Sequence, residues 1–317
     1  MRNRAAAGAG LATLTAVTWG GQFVVGKSAL DRVDAFPLTT VRYALAGALL
    51  LAILAAVEGR DALRLAGRGR RLFWLGTLGF AGFNLLTYTG LAHARPQSAS
   101  LIVALGPLLT ALVLWRRTRV RPPAETFVLL ALALTGVGLV LSDGHPERIV
   151  SGSAGWPDGL VLVGVFSFVL YGLGAAGMPE LSPLRYTALT AALGWISIAA
   201  ATAVALGAGL VPTPSGRDLA SVTPELLYLA IPGAVVAVLA WNAAFGLIGA
   251  QNAALFGNLI PVTTFAIEIA RGYRPGAAEA AGALLTIAAL VANSLRGRSR
   301  TAARLEAIEV EPAAGTA

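Results

Sequence analysis

Apolar residues run along this chain in long blocks instead of alternating with polar ones. Ten blocks are each long enough to cross roughly 30 Å of hydrocarbon as a helix: 9–27, 37–57, 72–92, 98–116, 124–142, 157–177, 187–207, 225–247, 252–270 and 277–295. Only a few residues separate the third from the fourth and the eighth from the ninth, which predicts tight antiparallel hairpins. The longest connections, 58–71, 143–156 and 208–224, are too short to hold a domain. The Gly- and Ser-containing stretch from His145-Pro146 to Trp156-Pro157 reads as a linker between two five-helix halves, 1–145 and 155–297. Residues 298–317 are expected as a disordered cytoplasmic tail. The predicted fold class is an all-α polytopic membrane protein.

The two halves repeat one another. At an offset of 154, Gln97, Ala99, Leu105, Pro107, Thr110 and Glu125 recur as Gln251, Ala253, Leu259, Pro261, Thr264 and Glu279. Each copy sets a Pro inside an apolar block and a Glu eighteen residues later. Halves with an odd number of crossings lie upside-down relative to one another, the sequence trace of a secondary transporter that rocks around a mid-membrane site.

Composition supports the membrane class. The chain is 56% hydrophobic and 13% charged, against about 25% charged for soluble domains. It contains no Cys, which excludes disulfides, Cys metal sites and thiol catalysis. The net charge of +8 does not mark a nucleic-acid protein, because the basic residues gather in short loops. With the N-terminus inside, sixteen basic residues fall on the inner side and seven on the outer. That asymmetry predicts cytoplasmic N- and C-termini in the inner membrane. The first block starts like a signal peptide, but it runs on through Trp19, Gln22 and Lys27 with no small-x-small cleavage site and reads as a retained helix.

The polar residues inside the blocks are the candidate chemistry. A mid-span Pro removes a backbone hydrogen bond, and in lipid the freed carbonyl needs protein or a wet cavity. Pro107 and Pro261 are therefore expected to face the interior as hinges, the alternative being simple packing kinks. Gly257, Pro261, Thr264 and Glu268 share one helix face. Glu268 is expected near the outer end, level with Lys27 and Arg42, where pairing with either would make a gate or coupling site. The competing reading is a local ion pair with Arg271, one turn on. Trp19, Gln22, Asn84, Tyr88, Tyr171, Trp241, Asn242 and Asn258 are expected to line a substrate cavity, the rings giving apolar and cation–π contact and the amides orientation. Each Asn could instead serve interhelical bonding alone. Trp74, Trp115 and Trp156 sit at span ends, as interfacial anchors do.

Several of these stretches resemble a known family. Thr18-Trp19-Gly20-Gly21-Gln22-Phe23-Val24-Val25-Gly26-Lys27 looks like the first-helix signature of EamA-type proteins of the drug/metabolite transporter superfamily. Arg42-Tyr43-Ala44 is similar to that family's Arg-aromatic entry to helix 2. The stretch Ala99 to Leu112 around Gly106-Pro107 resembles its fourth helix, and Ala253 to Val262 around Pro261 its ninth. The resemblance spans 8–297 and implies ten helices in two inverted five-helix repeats, with transport of small metabolites. Where many members carry Gly-Glu-Arg after helices 4 and 9, this chain has Arg117-Thr118-Arg119 and Arg271-Gly272-Tyr273-Arg274.

The expected function is secondary active transport, with export implied by the family, of small organic metabolites such as amino acids by alternating access. The alternatives are efflux of organic cations or drugs, lipid-linked substrate flipping, and a non-transporting scaffold or sensor. The two His, His93 and His145, lie far apart in sequence, and no nucleophile elbow, zinc helix or phosphate loop occurs, so no enzyme activity, cofactor or metal is expected. The expected partners are a small-molecule solute, membrane lipids and, where transport is ion-coupled, protons; proton coupling, exchange and facilitated diffusion are open alternatives. A monomer would suffice and a homodimer is compatible.

Overall fold

A computed structural model describes residues 2–145, 147 and 155–310. Among these residues are ten long helical rods, here α1–α10. They are α1 (Arg2–Leu30), α2 (Ala35–Glu58), α3 (69–93), α4 (Pro96–Thr118), α5 (Ala124–Ser142), α6 (Trp156–Ala175), α7 (Pro183–Gly207), α8 (Thr223–Ile248), α9 (250–270) and α10 (Ala277–Val310). Eight of them, all but α1 and α3, are long and apolar enough to cross a membrane by length and composition. Every apolar block of the sequence is thus a helix. Apart from Glu147, the linker expected over 146–154 lies outside the described residues, as does 311–317; α10 runs through 298–310 as helix.

The bundle is apolar outside and polar within. Leu14, Val17, Val128, Leu132, Val163, Phe166, Phe168, Val204 and Leu284 are exposed, while Thr15, Thr39, Arg42, Asn84, Gln97, Thr190 and Thr264 are buried. A water-soluble domain shows the opposite tendency. Here the outward face suits lipid; Thr15, Arg42, Asn84, Thr190 and Thr264 find hydrogen-bond partners inside, whereas Thr39 Oγ1 and Gln97 Oε1 are buried without one.

Helix packing respects the repeat. The pairs α2·α7, α4·α9 and α5·α10 map onto themselves when the first five helices are exchanged with the last five. The same exchange turns α3·α6 into α1·α8, α4·α6 into α1·α9, and α3·α7 into α2·α8, and all six of these pairs are in contact. Small residues let the backbones meet. A Cβ added to Gly282 on α10 would lie 2.5 Å from the Gly136 carbonyl oxygen on α5, and one on Gly194 of α7 would lie 2.9 Å from Phe80 of α3.

Two kinds of irregularity recur in both halves. α3 contains a wide π turn over Thr77–Gly82, and α8 contains one over Leu229–Val236. The offset of 154 places the first on residues 231–236, inside the second. In α8 the turn holds Pro232, which has no N–H to donate and cannot continue an α ladder. Secondly, α4 stops at Ala104 and restarts at Gly106, and α9 stops at Gly257 and restarts at Leu259. Pro107 and Pro261 each fall in the first turn of the restarted piece, where a missing N–H costs nothing. The prolines therefore begin helices instead of kinking continuous ones. Pro261 is buried as expected, but Pro107 is exposed, because the restarted piece of α4 turns that face outward.

Candidate functional site

The densest buried polar cluster centres on Arg42, two turns into α2. α2 begins after Asp34, whose carboxylate accepts from the Phe36 N–H at 2.9 Å. About 10 Å further along the helix, Arg42 is only 4% exposed. Its Nε donates to the Leu229 carbonyl at 3.1 Å, and its Nη1 to Asn84 Oδ1 at 3.3 Å and to the Tyr88 hydroxyl at 2.7 Å. Its Nη2 donates to Gln22 Oε1. The Tyr43 hydroxyl donates to Asn84 Oδ1 at 3.2 Å, and Asn84 Nδ2 donates back to the Phe80 carbonyl at 2.9 Å. The Tyr43 and Tyr88 rings lie 5.0 and 5.1 Å from the guanidinium carbon, within cation–π range.

Local sequence explains this convergence. Asn84 and Tyr88 are four residues apart and share a face of α3. Leu229 opens the wide turn of α8, whose loosened backbone also takes Trp19 Nε1 on the Gly233 carbonyl at 3.0 Å. Gly233 leaves room for Gln22: a Cβ there would lie 2.7 Å from Gln22 Oε1. Four helices drawn from both halves thus hold one guanidinium. Each of its partners is neutral. An arginine at the centre of a membrane helix costs roughly 2.5–3.5 kcal/mol on insertion scales, and such groups mark solute or ion pathways.

The other candidates form separate groups. Trp19 and Trp241 meet at 5.4 Å between ring centroids, with Phe245 beyond at 5.1 Å. Tyr171 stacks on Tyr186 at 5.1 Å and meets Phe80 at 5.5 Å. Phe80 meets Tyr43 at 5.4 Å, so an aromatic row leads from the Arg42 cluster towards α6 and α7. Asn258, at the break in α9, donates to Ser294 Oγ at 3.3 Å, the interhelical role weighed from the sequence. Asn242 has a buried Nδ2 with no hydrogen-bond partner.

The expected pairing of Glu268 with Lys27 or Arg42 does not form. Glu268 accepts from Arg271 at 3.1 Å, the local pair three residues on. Lys27 Nζ instead caps the end of α3, donating to the Leu91 and Ala92 carbonyls at 3.2 and 2.6 Å, where a cation suits the helix dipole. Arg42 lies deeper than either. Lys27 and Glu268 nevertheless open onto one cleft of about 390 Å³, with Asp31, Pro96, Arg271 and Tyr273.

A second cleft of about 300 Å³, lined by His93, Arg95, Ser98, Trp156 and Asp158 among others, lies on the same end of the bundle. Between the two runs a charged network. Arg95 lies 3.0 Å from Asp143 and 3.7 Å from Glu279, a carboxylate only 2% exposed. Arg95 also donates to the Tyr273 hydroxyl at 3.2 Å, and Tyr273 donates to Glu279. Burial works against the charge of Arg95, but Glu279, Tyr273 and Asp143 outweigh it and hold the guanidinium above its ordinary value. Burial and the bond to Glu279 push the Tyr273 phenol up to about 12. The network ties the start of α4 and the end of α5 to α10. In the sequence Glu279 stands out only as the repeat match of Glu125.

An apolar shell, two matched halves and a polar cluster held between them define a multi-pass membrane transporter. The chain belongs to the EamA-like transporter family, whose model matches residues 6–142 and 155–295, one match for each half. Over 289 residues, 90% of each chain, it is 28% identical to the uncharacterized transporter YrdR of Bacillus subtilis (strain 168). Over 248 residues it is 31% identical to the uncharacterized transporter YyaM of the same organism, covering 78% of this chain and 80% of the relative. A solved crystal structure shares the fold at a TM-score of 0.62 and 18% identity, covering 91% of this chain and 97% of its own. The family is one of transporters, not enzymes.

Proposed function

We propose that this protein is a secondary active transporter that exports small organic metabolites, amino acids being the first class to test, and that the solute meets the cluster around Arg42. The observation that carries this reading is the buried guanidinium held by groups from α1, α2, α3 and α8, which any rocking of one half against the other must rearrange. The halves, taken as 1–145 and 155–297, lie inverted in the bilayer with both termini cytoplasmic. Charge asymmetry supports that orientation. The Lys27 end then faces outward, and the network of Arg95, Asp143, Tyr273 and Glu279 closes the path on that side. The breaks at Leu105 and Asn258, with the wide turns of α3 and α8, are the flexible points. Organic-cation efflux is the weaker reading, because the deep cluster is cationic and Glu268 is engaged by Arg271.

Uptake and efflux of a mixed panel of amino acids, organic acids and organic cations in proteoliposomes, with and without a pH gradient, tests the proposal. Accumulation of one class driven by the gradient supports it. Equilibration without accumulation under any gradient overturns active transport and leaves a facilitator.

A further inference from the structure

The charge balance around Arg42 says more about the solute than its polarity does. Guanidinium carries five N–H donors and stays protonated at every physiological pH. Four of the five have partners here: Nε gives one to Leu229, Nη1 gives two to Asn84 and Tyr88, and Nη2 gives one to Gln22. The remaining Nη2 N–H has no acceptor among the described residues, and Nη2 is the corner bordered by the amide of Gln22. No Asp or Glu is hydrogen-bonded or ion-paired to Gln22, Arg42, Tyr43, Asn84 or Tyr88 among the described residues. At the Lys27 end Asp143 and Glu279 pair with Arg95, Glu268 with Arg271 and Glu225 with Arg32. A full positive charge is therefore buried against neutral dipoles alone, with one donor in hand.

We infer that the transported solute carries a net negative charge, and that its carboxylate docks on Arg42 by displacing the carbonyl of Gln22 from Nη2. The inference rests on the proposed reading of this cluster as the solute site. A carboxylate matches the guanidinium fork in plane and spacing. A monoanion would leave the site neutral. A zwitterion would leave one positive charge uncompensated and bring an ammonium beside the guanidinium. A cation would double the buried charge. The ranking expected is anion above zwitterion above cation, for solutes of equal size.

Three solutes that share one phenethyl skeleton and differ in charge provide the test in wild-type proteoliposomes: 3-phenylpropionate, phenylalanine and phenethylamine. The expected result is fastest uptake of 3-phenylpropionate and its dominance in competition. Arg42→Lys is expected to keep that order with weaker binding, and Arg42→Gln to lower anion uptake about tenfold or more while leaving the solubilised protein folded. Preference of the wild-type protein for phenylalanine or phenethylamine overturns the inference while leaving the transporter reading intact, and needs no variant to fold. Undiminished anion uptake by folded Arg42→Gln also overturns it. If none of the three moves or competes with any transported solute, the solute-site reading itself falls.

Discussion

Nε of Arg42 lies 3.1 Å from the carbonyl oxygen of Leu229, joining the second helix of one half to the third helix of the other. The contact depends on the wide turn of α8, so a backbone irregularity in one repeat is used by a side chain from its counterpart. Loss of that geometry uncouples the halves at the point where the buried charge sits.

Gly233 provides a test of how tightly the cluster is packed. A methyl group at this position would fall 2.7 Å from Gln22 Oε1 and 3.1 Å from Gln22 Cγ. Gly233→Ala is expected to displace Gln22 from Arg42 and to cost about 1–3 kcal/mol as overpacking. Solute affinity should fall with it. Gln22→Ala removes the obstacle, so the double variant should be more stable than Gly233→Ala alone, a non-additivity that thermal unfolding of the two singles and the double would reveal. Strict additivity would place Gln22 elsewhere.

Tyr273 carries a pH prediction for the charged network at the Lys27 end. Its phenol titrates at about 12 in the folded protein, against about 10 for a free tyrosine. A raised value means that the proton is held more tightly in the folded state. The stabilisation it represents is complete below about pH 10 and is lost as pH rises towards 12. The difference in unfolding temperature between wild type and Tyr273→Phe should therefore be constant from about pH 6 to about pH 9 and shrink above about pH 10. A change of that difference near neutrality would assign the proton to another group.

Glu268 separates two accounts of coupling. Since it pairs with Arg271 at the rim of the cleft at the Lys27 end, Glu268→Gln is expected to leave the pH dependence of transport in place and to cost about 1 kcal/mol or less of stability. Abolished gradient-driven accumulation with surviving exchange would instead make Glu268 the coupling carboxylate.

The fold was legible in the sequence because a membrane-spanning helix must satisfy its backbone internally and so announces itself as a long apolar run. The repeat was legible through Pro107 and Pro261, whose chemistry fixes a local irregularity in each half. What those prolines do was not. Whether a Pro kinks a helix or starts a new one depends on whether the preceding residue, here Leu105 or Asn258, gives up the helical ladder. Gln22, Asn84 and Tyr88 were found as mid-span polar residues, but their convergence on Arg42 was not, since it joins positions up to 187 residues apart when Leu229 is included. Arg42 sat close enough to a span end to be read as a gate. Arg95 and Glu279 lay in segments whose partners only the packing of α4, α5 and α10 could reveal.

The central claim is that solute occupies the Arg42 cluster during transport. The chain contains no cysteine, so a single Gln22→Cys variant offers one thiol beside the guanidinium. The rate at which a small methanethiosulfonate modifies it in proteoliposomes, with and without saturating transported solute, is the direct measurement. Solute is expected to slow labelling in proportion to its occupancy. A variant that still transports while its labelling rate ignores the solute would place the pathway elsewhere in the bundle.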